Sequence, residues 1–291
     1  MKNSVNKSIL IFLAALAVCF GILFHNVIEK LVHDWYTDDN YSHGFLIIPV
    51  ALYFVWERKN ALKEASWKPS LWGLALVIGS AALVLVGTLG AELFLPRLAI
   101  LGVIAGAVLF ILGWNHFKIL LLPICFLFLM IPIPAIIFNH IAFPLQLLAS
   151  QFGEGILTLF QIPVLREGNV LQLANTTLEV AEACSGIRSL VSLLTLGIVY
   201  GYFFDSRNWA RTTLTLGTIP IAIIANGIRV AGTGIAAYFF GEAAAQGFFH
   251  QFEGWVVFIA AFIMIFILHW IIRLIAPEHK KPVQEKNSAE I

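Results

Sequence analysis

Long apolar blocks separated by short polar stretches run through most of the chain. A helix needs about 20 consecutive apolar residues to cross the hydrocarbon core of a bilayer, and most of these blocks approach or exceed that length. We predict eight transmembrane helices, at about residues 9–25, 44–56, 71–89, 95–113, 117–133, 185–204, 212–238 and 247–275. The pattern therefore predicts an all-α integral membrane protein.

Residues 134–162 depart from this pattern because they are less apolar. Two prolines and the cluster Gly153-Glu154-Gly155 interrupt them, and proline and glycine are the strongest local breakers of regular structure. We therefore predict an interfacial or re-entrant segment that does not cross the membrane.

Residues 163–182 change character again and predict a β-hairpin. Their side chains alternate, with Leu171 and Leu173 set against Gln172, and turn residues occupy 167–169 and 174–176. Because lipid offers no partners to unpaired backbone groups, an open hairpin must lie outside the bilayer or in a protein-lined cavity. The hairpin immediately precedes the block that begins at 185.

Composition agrees with the membrane assignment and excludes several other classes. Hydrophobic residues make up 59% of the 291 residues and charged residues 12%, against roughly 25% charged residues in soluble domains. A net charge of +1 favours neither a nucleic-acid partner nor a basic membrane-surface patch. Three scattered cysteines are too few for a disulfide framework or a metal site, so we expect no metal and no cofactor. No internal repeat is evident, which predicts one membrane domain over 1–291 with a polar tail from about 277 to 291.

The distribution of lysine and arginine predicts the orientation, because cytoplasmic loops carry an excess of both. We read the first block as a retained span, since no convincing cleavage site follows it. If the N-terminus is cytoplasmic and all eight blocks cross, thirteen of the eighteen basic residues lie on the cytoplasmic side and three lie outside. This predicts a multi-pass protein of the plasma (inner) membrane with both termini in the cytoplasm.

Four side chains that could carry chemistry then lie at the outer side of the membrane. Ionisable groups inside spans are functional hypotheses by default, which singles out Arg188 and Arg229. Cys184 begins a span that descends from outside, and His250 begins another. Arg229 lies near the outer end of a span that ascends.

These residue types suit acyl transfer through a thioester. A helix N-terminus and nearby cations lower the pKa of a thiol and favour the nucleophilic thiolate, and Arg188 lies one turn after Cys184. A histidine such as His250 can serve as general base and then as general acid, and an arginine such as Arg229 can stabilise an oxyanion.

Each residue also has a purely structural interpretation. Cysteine is commonly a small buried hydrophobe, which is the interpretation we favour for Cys19 and Cys125. Arg188 could extend to the interface, and Glu253, three residues after His250, could orient the ring or be solvated. Several polar residues cluster on the outer side of the membrane, namely Asp38, Asp39, Tyr41, Ser42 and His43. On spacing alone, the better interpretation of this cluster is an ordinary solvated loop.

Three segments resemble the exosortase family, which belongs to the exosortase/archaeosortase group of membrane cysteine transpeptidases. They are Ala183-Cys184-Ser185-Gly186-Ile187-Arg188, Asn226-Gly227-Ile228-Arg229 and His250. The segment Tyr41-Ser42-His43-Gly44-Phe45 also looks like that family's N-terminal signature. The resemblance covers about residues 35–275.

The resemblance implies roles for individual residues. Cys184 would be the nucleophile, Arg229 the essential arginine and His250 the third catalytic residue. Archaeosortases more often have arginine at the third position, so His250 favours the exosortase branch. Supporting or substrate-binding roles would fall to Arg188, Asn226, Glu253, Ser185, Gly186, Tyr41, Ser42 and His43.

The resemblance also implies the substrate class. The family cleaves C-terminal sorting signals of exported, membrane-tethered proteins, with a motif such as Pro-Glu-Pro followed by a hydrophobic span, and is thought to transfer the new carboxyl end to an envelope acceptor. Alternatives remain open. Water could resolve the thioester, which would make the chain a plain membrane endopeptidase. The chain could also be a polysaccharide or lipid transporter subunit, in which the arginines line a pathway, or a structural membrane partner that needs no thiol.

Overall fold

The computed structural model describes residues 2–174, 176–180, 187–241 and 248–277, and for 2–13, 17, 187–188, 248–254 and 256–257 the backbone alone. This part of the chain is mainly helical, with one small sheet. The helices are α1 (Lys2–Thr37), α2 (Gly44–Glu57), α3 (Lys59–Glu64), α4 (Leu71–Leu89), α5 (Phe94–Ile111), α6 (Trp114–Phe126), α7 (Ala135–Leu159), α8 (Ile187–Phe204), α9 (Asn208–Phe240) and α10 (Phe248–Ile275). The strands are β1 (Val164–Glu167), β2 (Val170–Leu173) and β3 (Thr177–Glu179), and a short 3₁₀ turn, Leu127–Met130, follows α6.

Six helices in the described residues are long and apolar enough to cross a membrane. These segments are Ala14–Thr37, Leu71–Leu89, Phe94–Ile111, Ala135–Leu159, Asn208–Phe240 and Phe258–Ile275. Shorter apolar helices lie at Gly44–Glu57, Trp114–Met130 and Ser189–Phe204. The mainly helical, multi-pass membrane architecture is thus confirmed, whereas the number of eight crossings stays a prediction.

The expectation that residues 134–162 are broken is wrong, because α7 is one continuous helix of 25 residues that includes Pro144. An apolar environment tolerates proline within a helix when neighbouring groups satisfy the freed backbone. The glycine at 153 is explained by packing, since a Cβ there would lie 2.7 Å from a methyl carbon of Val230. By length and composition α7 qualifies as a membrane span, so the breakers no longer argue for an interfacial segment.

The chain divides into two compact units, residues 1–140 and 141–291. In the first unit α4 and α5 pack closely where glycines remove side chains from the interface. A Cβ at Gly73 would lie 2.2 Å from the backbone nitrogen of Phe110 and 2.5 Å from the carbonyl oxygen of Gly106. At the opposite end of α4, Arg97 forms an ion pair with Asp34 at 2.5 Å, and the Arg97 side chain is 5% exposed.

The second unit is built around α9. Its first half packs with α8 and α10 in one hydrophobic cluster that includes Leu193, Ala222 and Ile265. Its second half packs against α7, since Cβ atoms at Gly227 and Gly234 would meet Phe152 and Leu157 respectively. Residue numbers in both helices rise together along this contact, so α7 and α9 run parallel there.

The predicted hairpin is confirmed and has one strand more than expected. Strands β1, β2 and β3 form an antiparallel sheet in that order, with Glu167 opposite Val170 and Leu171 opposite Leu178. Gly168 supplies the positive φ of +65° that the first turn requires. Leu171 and Leu173 are buried in a cluster that also contains Val230 of α9, so one face of the sheet packs on that helix.

The α4–α5 contact yields a matched pair of glycine substitutions. Gly73→Ala should destabilise the protein by about 1–3 kcal/mol, because the added methyl meets backbone atoms that cannot move aside. Gly79→Ala in the same helix should be neutral or slightly stabilising, since a Cβ at Gly79 meets nothing within 4 Å. Thermal denaturation in detergent checks both, and equal midpoints for the two variants would contradict the close contact.

Candidate active site

Polar bonds tie three helices together at one end of the second unit. Arg273 of α10 donates to the carbonyl oxygen of Phe204 at 3.0 Å, and Arg207 donates to the carbonyl oxygen of Ala276. Arg211 of α9 donates to the carbonyl oxygen of Asp205 at 2.6 Å. The end of α8, the start of α9 and the end of α10 therefore meet here, at what we call the arginine end.

Asp205 is the anionic centre of the arginine end. Its side chain is fully buried, and Arg207 holds the carboxylate through Nη2 at 2.6 Å and Nε at 2.9 Å. This hydrogen-bonded guanidinium lowers the pKa of Asp205 to about 2. The carboxylate therefore stays charged at physiological pH, as a buried acid does when a bidentate arginine compensates it.

The described residues of the predicted site lie toward the opposite end of the same unit. Because α8 and α10 run toward the arginine end while α9 runs away from it, the start of α8, the last third of α9 and the start of α10 share that opposite end. At about 1.5 Å per residue along a helix, the distances from the arginine end are about 26 Å for Ile187, 32 Å for Arg229 and 35 Å for His250. We call this the sheet end.

Arg229 lies beside the sheet. Its side chain is half-buried, and the next residue, Val230, packs in the same cluster as Val180 and Leu171. Asn226, one turn before Arg229, is 2% exposed. Val180 is the last described residue before 187, so the sheet ends in the same hydrophobic cluster as the residue that follows Arg229.

Cys184 belongs to residues 181–186, which join the sheet to α8. It is four residues after Val180 and three before Ile187, and these two are the nearest described residues on either side. Cys184, Ser185 and Gly186 themselves lie outside the described residues. Of the remaining predicted residues here, Arg188 opens α8 while His250 and Glu253 open α10; for these the backbone alone is described.

Residues 35–267 match the family model described as transmembrane exosortase (Exosortase_EpsH). The chain belongs to the exosortase family. Membership confirms the resemblance drawn from the sequence motifs, and at the level of the family it implies a membrane cysteine transpeptidase. No match was found among curated proteins or among solved structures.

In this exosortase the N-terminal motif has a structural role that spacing did not predict. Tyr41 accepts a hydrogen bond from the backbone nitrogen of Ile133 at 3.2 Å, and Nε2 of His43 lies 3.0 Å from the carbonyl oxygen of Leu129. Burial raises the pKa of Tyr41 and lowers the pKa of His43. The interpretation of these two as part of an ordinary solvated loop is therefore wrong. The interpretation as a solvated residue agrees with the structure for Ser42, which is exposed.

The other two cysteines also differ from expectation. Cys19 in α1 and Cys125 in α6 are both exposed, so the interpretation of them as buried hydrophobes is wrong. Each lies on the outer surface of an apolar helix, where a small apolar side chain suits contact with lipid.

Sequence reasoning missed a polar trio at the arginine end. Tyr200 of α8 hydrogen-bonds Nδ1 of His269 at 2.9 Å, and Nε2 of His269 lies 3.5 Å from Asp205. One available signal was the histidine itself, an ionisable residue near the end of an apolar run of α10. Its partners could not be found from local pattern, because they are 69 residues and 64 residues away along the chain.

The N-terminal motif yields a second matched pair. Tyr41→Phe should cost about 1–2 kcal/mol of stability, because it leaves the backbone nitrogen of Ile133 without its partner. Ser42→Ala should change stability by less than about 0.5 kcal/mol, as is usual for exposed positions. Thermal unfolding in detergent measures both. A Tyr41→Phe variant as stable as Ser42→Ala would mean that the Tyr41 bond contributes nothing.

Proposed function

We propose that this chain is a membrane-embedded cysteine transpeptidase that cleaves the C-terminal sorting signals of exported proteins through a thioester. The proposal is supported by the directions of the helices in the second unit, which bring three segments toward the sheet end: the residues that flank Cys184, the turn of α9 with Arg229, and the start of α10 with His250. Residues distant in sequence but chemically complementary thus share one end of one unit.

The first half of the reaction forms a thioester and releases an amine. The Cys184 thiolate attacks the carbonyl carbon of the scissile peptide bond and forms a tetrahedral oxyanion. Collapse of this intermediate breaks the C–N bond, and His250 donates a proton to the departing amine. The exported protein is then held on Cys184 through its new carboxyl end.

The second half transfers that carboxyl end to an acceptor. His250, now neutral, takes a proton from an acceptor hydroxyl or amine, whose oxygen or nitrogen attacks the thioester carbonyl. Cys184 leaves as thiolate and the cycle closes without a cofactor or a metal. If water is the acceptor, the same steps amount to hydrolysis, so the plain endopeptidase differs only in the acceptor.

The roles of the cationic side chains are assigned from the charge that each residue type carries near neutral pH. Arginine stays protonated at every accessible pH, so Arg229 is assigned to the oxyanion. Histidine titrates near neutral pH, so His250 is assigned to proton transfer. Arg188 lies in the first turn of α8, where its charge adds to the helix dipole in lowering the pKa of Cys184. Asn226, Glu253, Ser185 and Gly186 are assigned supporting roles around these groups.

The distribution of charge supports an extracytoplasmic site. In the second unit Arg207, Arg211 and Arg273 all lie at the arginine end, and the positive-inside rule puts such an end in the cytoplasm. The sheet end then faces outward, in a plasma (inner) membrane with the C-terminus in the cytoplasm. A substrate tethered by its own transmembrane helix would reach this end by lateral diffusion, and tethering raises its effective concentration.

A transporter subunit is the alternative from another functional class. Arg188, Arg229 and Glu253 would then line a pathway for a polysaccharide or lipid. Exosortase membership and the proximity of the chain around Cys184 to Arg229 favour the enzyme, because transport does not need a thiol. The requirement for Cys184 separates the two functions.

Substitution of the cysteines tests the nucleophile. Cys184→Ala and Cys184→Ser should both abolish processing of a co-expressed protein with a C-terminal sorting signal, because a hydroxyl is a far poorer nucleophile here. The double variant Cys19→Ala, Cys125→Ala should keep activity within a few-fold, since both thiols are exposed on apolar helices. Immunoblots of substrate size give the result, with enzyme abundance in the membrane as control. An active Cys184→Ala variant would refute the mechanism.

Labelling from outside the cell tests the orientation. A single cysteine at position 175, between β2 and β3 in the sequence, should react with a membrane-impermeant maleimide, because the sheet end is expected to face outward. A cysteine at position 207, at the arginine end, should react only after the membrane is permeabilised. The opposite pattern would place the site in the cytoplasm and remove access to exported substrates.

A further inference from the structure

The buried trio at the arginine end consists of Tyr200, His269 and Asp205. It links α8, α10 and the loop between α8 and α9. The Tyr200 hydroxyl lies 2.9 Å from Nδ1 of His269, and Asp205 is 3.5 Å from the other ring nitrogen. Tyr200 and His269 are each 5% exposed. One hydrogen bond thus links α8 to α10, and one electrostatic contact links α10 to the loop between α8 and α9.

This trio is rigidly held on the loop side. Arg207 binds the Asp205 carboxylate in a bidentate manner, and the backbone nitrogen of Arg207 also donates to that carboxylate at 2.9 Å. Arg207 further donates to the carbonyl oxygen of Ala276 just beyond α10. Asp205 is therefore a fixed point against which α10 is held.

Apart from the trio and the exposed bond from Arg273 to the carbonyl oxygen of Phe204, the contact between α8 and α10 specifies axial position only weakly. The two helices meet in an apolar cluster with Leu193 on α8 and Ala261 and Ile265 on α10. In lipid such faces have little hydrophobic drive to associate, and similar aliphatic side chains can pack in more than one register. Buried polar contacts are the best-attested means of selecting one register.

We propose that Tyr200, His269 and Asp205 are positioning residues that lock the axial register of α8 and α10, and thereby set Cys184 and His250 at matching levels beside Arg229. This inference rests on the proposed function for the identity of the reacting residues. The helices transmit the constraint because a slip at the arginine end moves the sheet end by the same amount. A slip of one turn is about 5.4 Å, and misplacement by about 1 Å can cost about a hundredfold in rate.

Tyr200→Phe removes the bond with little change in packing. The ring stacks on Phe204 at 4.6 Å between centroids and meets Phe262 edge-on at 6.3 Å, and phenylalanine keeps both contacts. Thr195→Val is the matched control on the same helix, because it removes a hydrogen bond from Thr195 to Val191 that stays within α8. His269→Gln is the conservative variant, since an amide can accept from Tyr200 and donate toward Asp205.

The experiment measures the alkylation rate of Cys184 against pH in the full-length protein, in a background with Cys19→Ala and Cys125→Ala so that one thiol remains. Turnover of a tethered substrate is measured in parallel. Tyr200→Phe should shift the alkylation profile by about half a pH unit or more and lower kcat by about tenfold with KM within about twofold. Thr195→Val should match the parent, and His269→Gln should fall between the two.

The outcomes separate this inference from the proposed function. Unchanged alkylation profiles in both Tyr200→Phe and Asp205→Asn would overturn the positioning role, whatever the activity of the parent protein. Asp205→Asn keeps the test valid if Tyr200→Phe does not reach the membrane. An ordinary thiol pKa for Cys184 in the parent would count against the thiolate mechanism alone, because the positioning role is judged by the change between variants. Equal changes of the alkylation profile in Tyr200→Phe and Thr195→Val would mean that the trio contributes only to overall stability. This result would also overturn the inference.

Discussion

A polar group inside a membrane protein must find its partners within the protein, because lipid supplies none. Each unit obeys this constraint with a carboxylate–arginine contact near a helix end. In the first unit the partly exposed Asp34 pairs with the buried Arg97, and in the second the buried Asp205 pairs with Arg207. Neither contact needs to add much net stability, since desolvation offsets most of the attraction. Each contact instead favours one arrangement of the neighbouring helices, because a shifted arrangement would leave a charged side chain without its partner and raise the free energy of the folded protein.

The same constraint separates structure from chemistry within the second unit. The charges of the arginine end are all engaged with carbonyl oxygens or with Asp205, and such bonds hold the helices without being free to react. The sheet end instead has a short extended segment, an arginine in a half-buried position and the beginnings of two helices. A reaction at a peptide carbonyl needs this second kind of environment, in which backbone can approach a substrate and the dipoles of helix starts favour negative charge.

The elements that could be predicted from sequence are those whose cause is local. Hydrophobic runs predicted the helices, and the alternation around Leu171 and Leu173 predicted the sheet and its buried face. The continuous helix α7 was missed, because Pro144 and Gly153 break helices in water whereas here Gly153 makes room for Val230. Tyr41 and His43 looked like a solvated loop because their partners, Ile133 and Leu129, are about ninety residues away. The motif residues could be found from sequence, but their meeting at one end depends on contacts between helices.

The corrected α7 explains why the sheet lies beside Arg229. Glycines at 153, 227 and 234 remove side chains from both partners, so the backbones of α7 and α9 approach closely and run parallel to the same end. Because α7 runs parallel to α9, it ends near the C-terminal part of α9. The segment with the three strands follows α7 and therefore begins there. From that point the sheet turns the chain back, and its buried face on Val230 leaves Val180 close to Arg229. The segment with Cys184 then has only six residues in which to reach Ile187. The contact between α7 and α9, which the proline and glycine signals hid, is therefore the one that places the sheet beside the turn of α9 that carries Arg229.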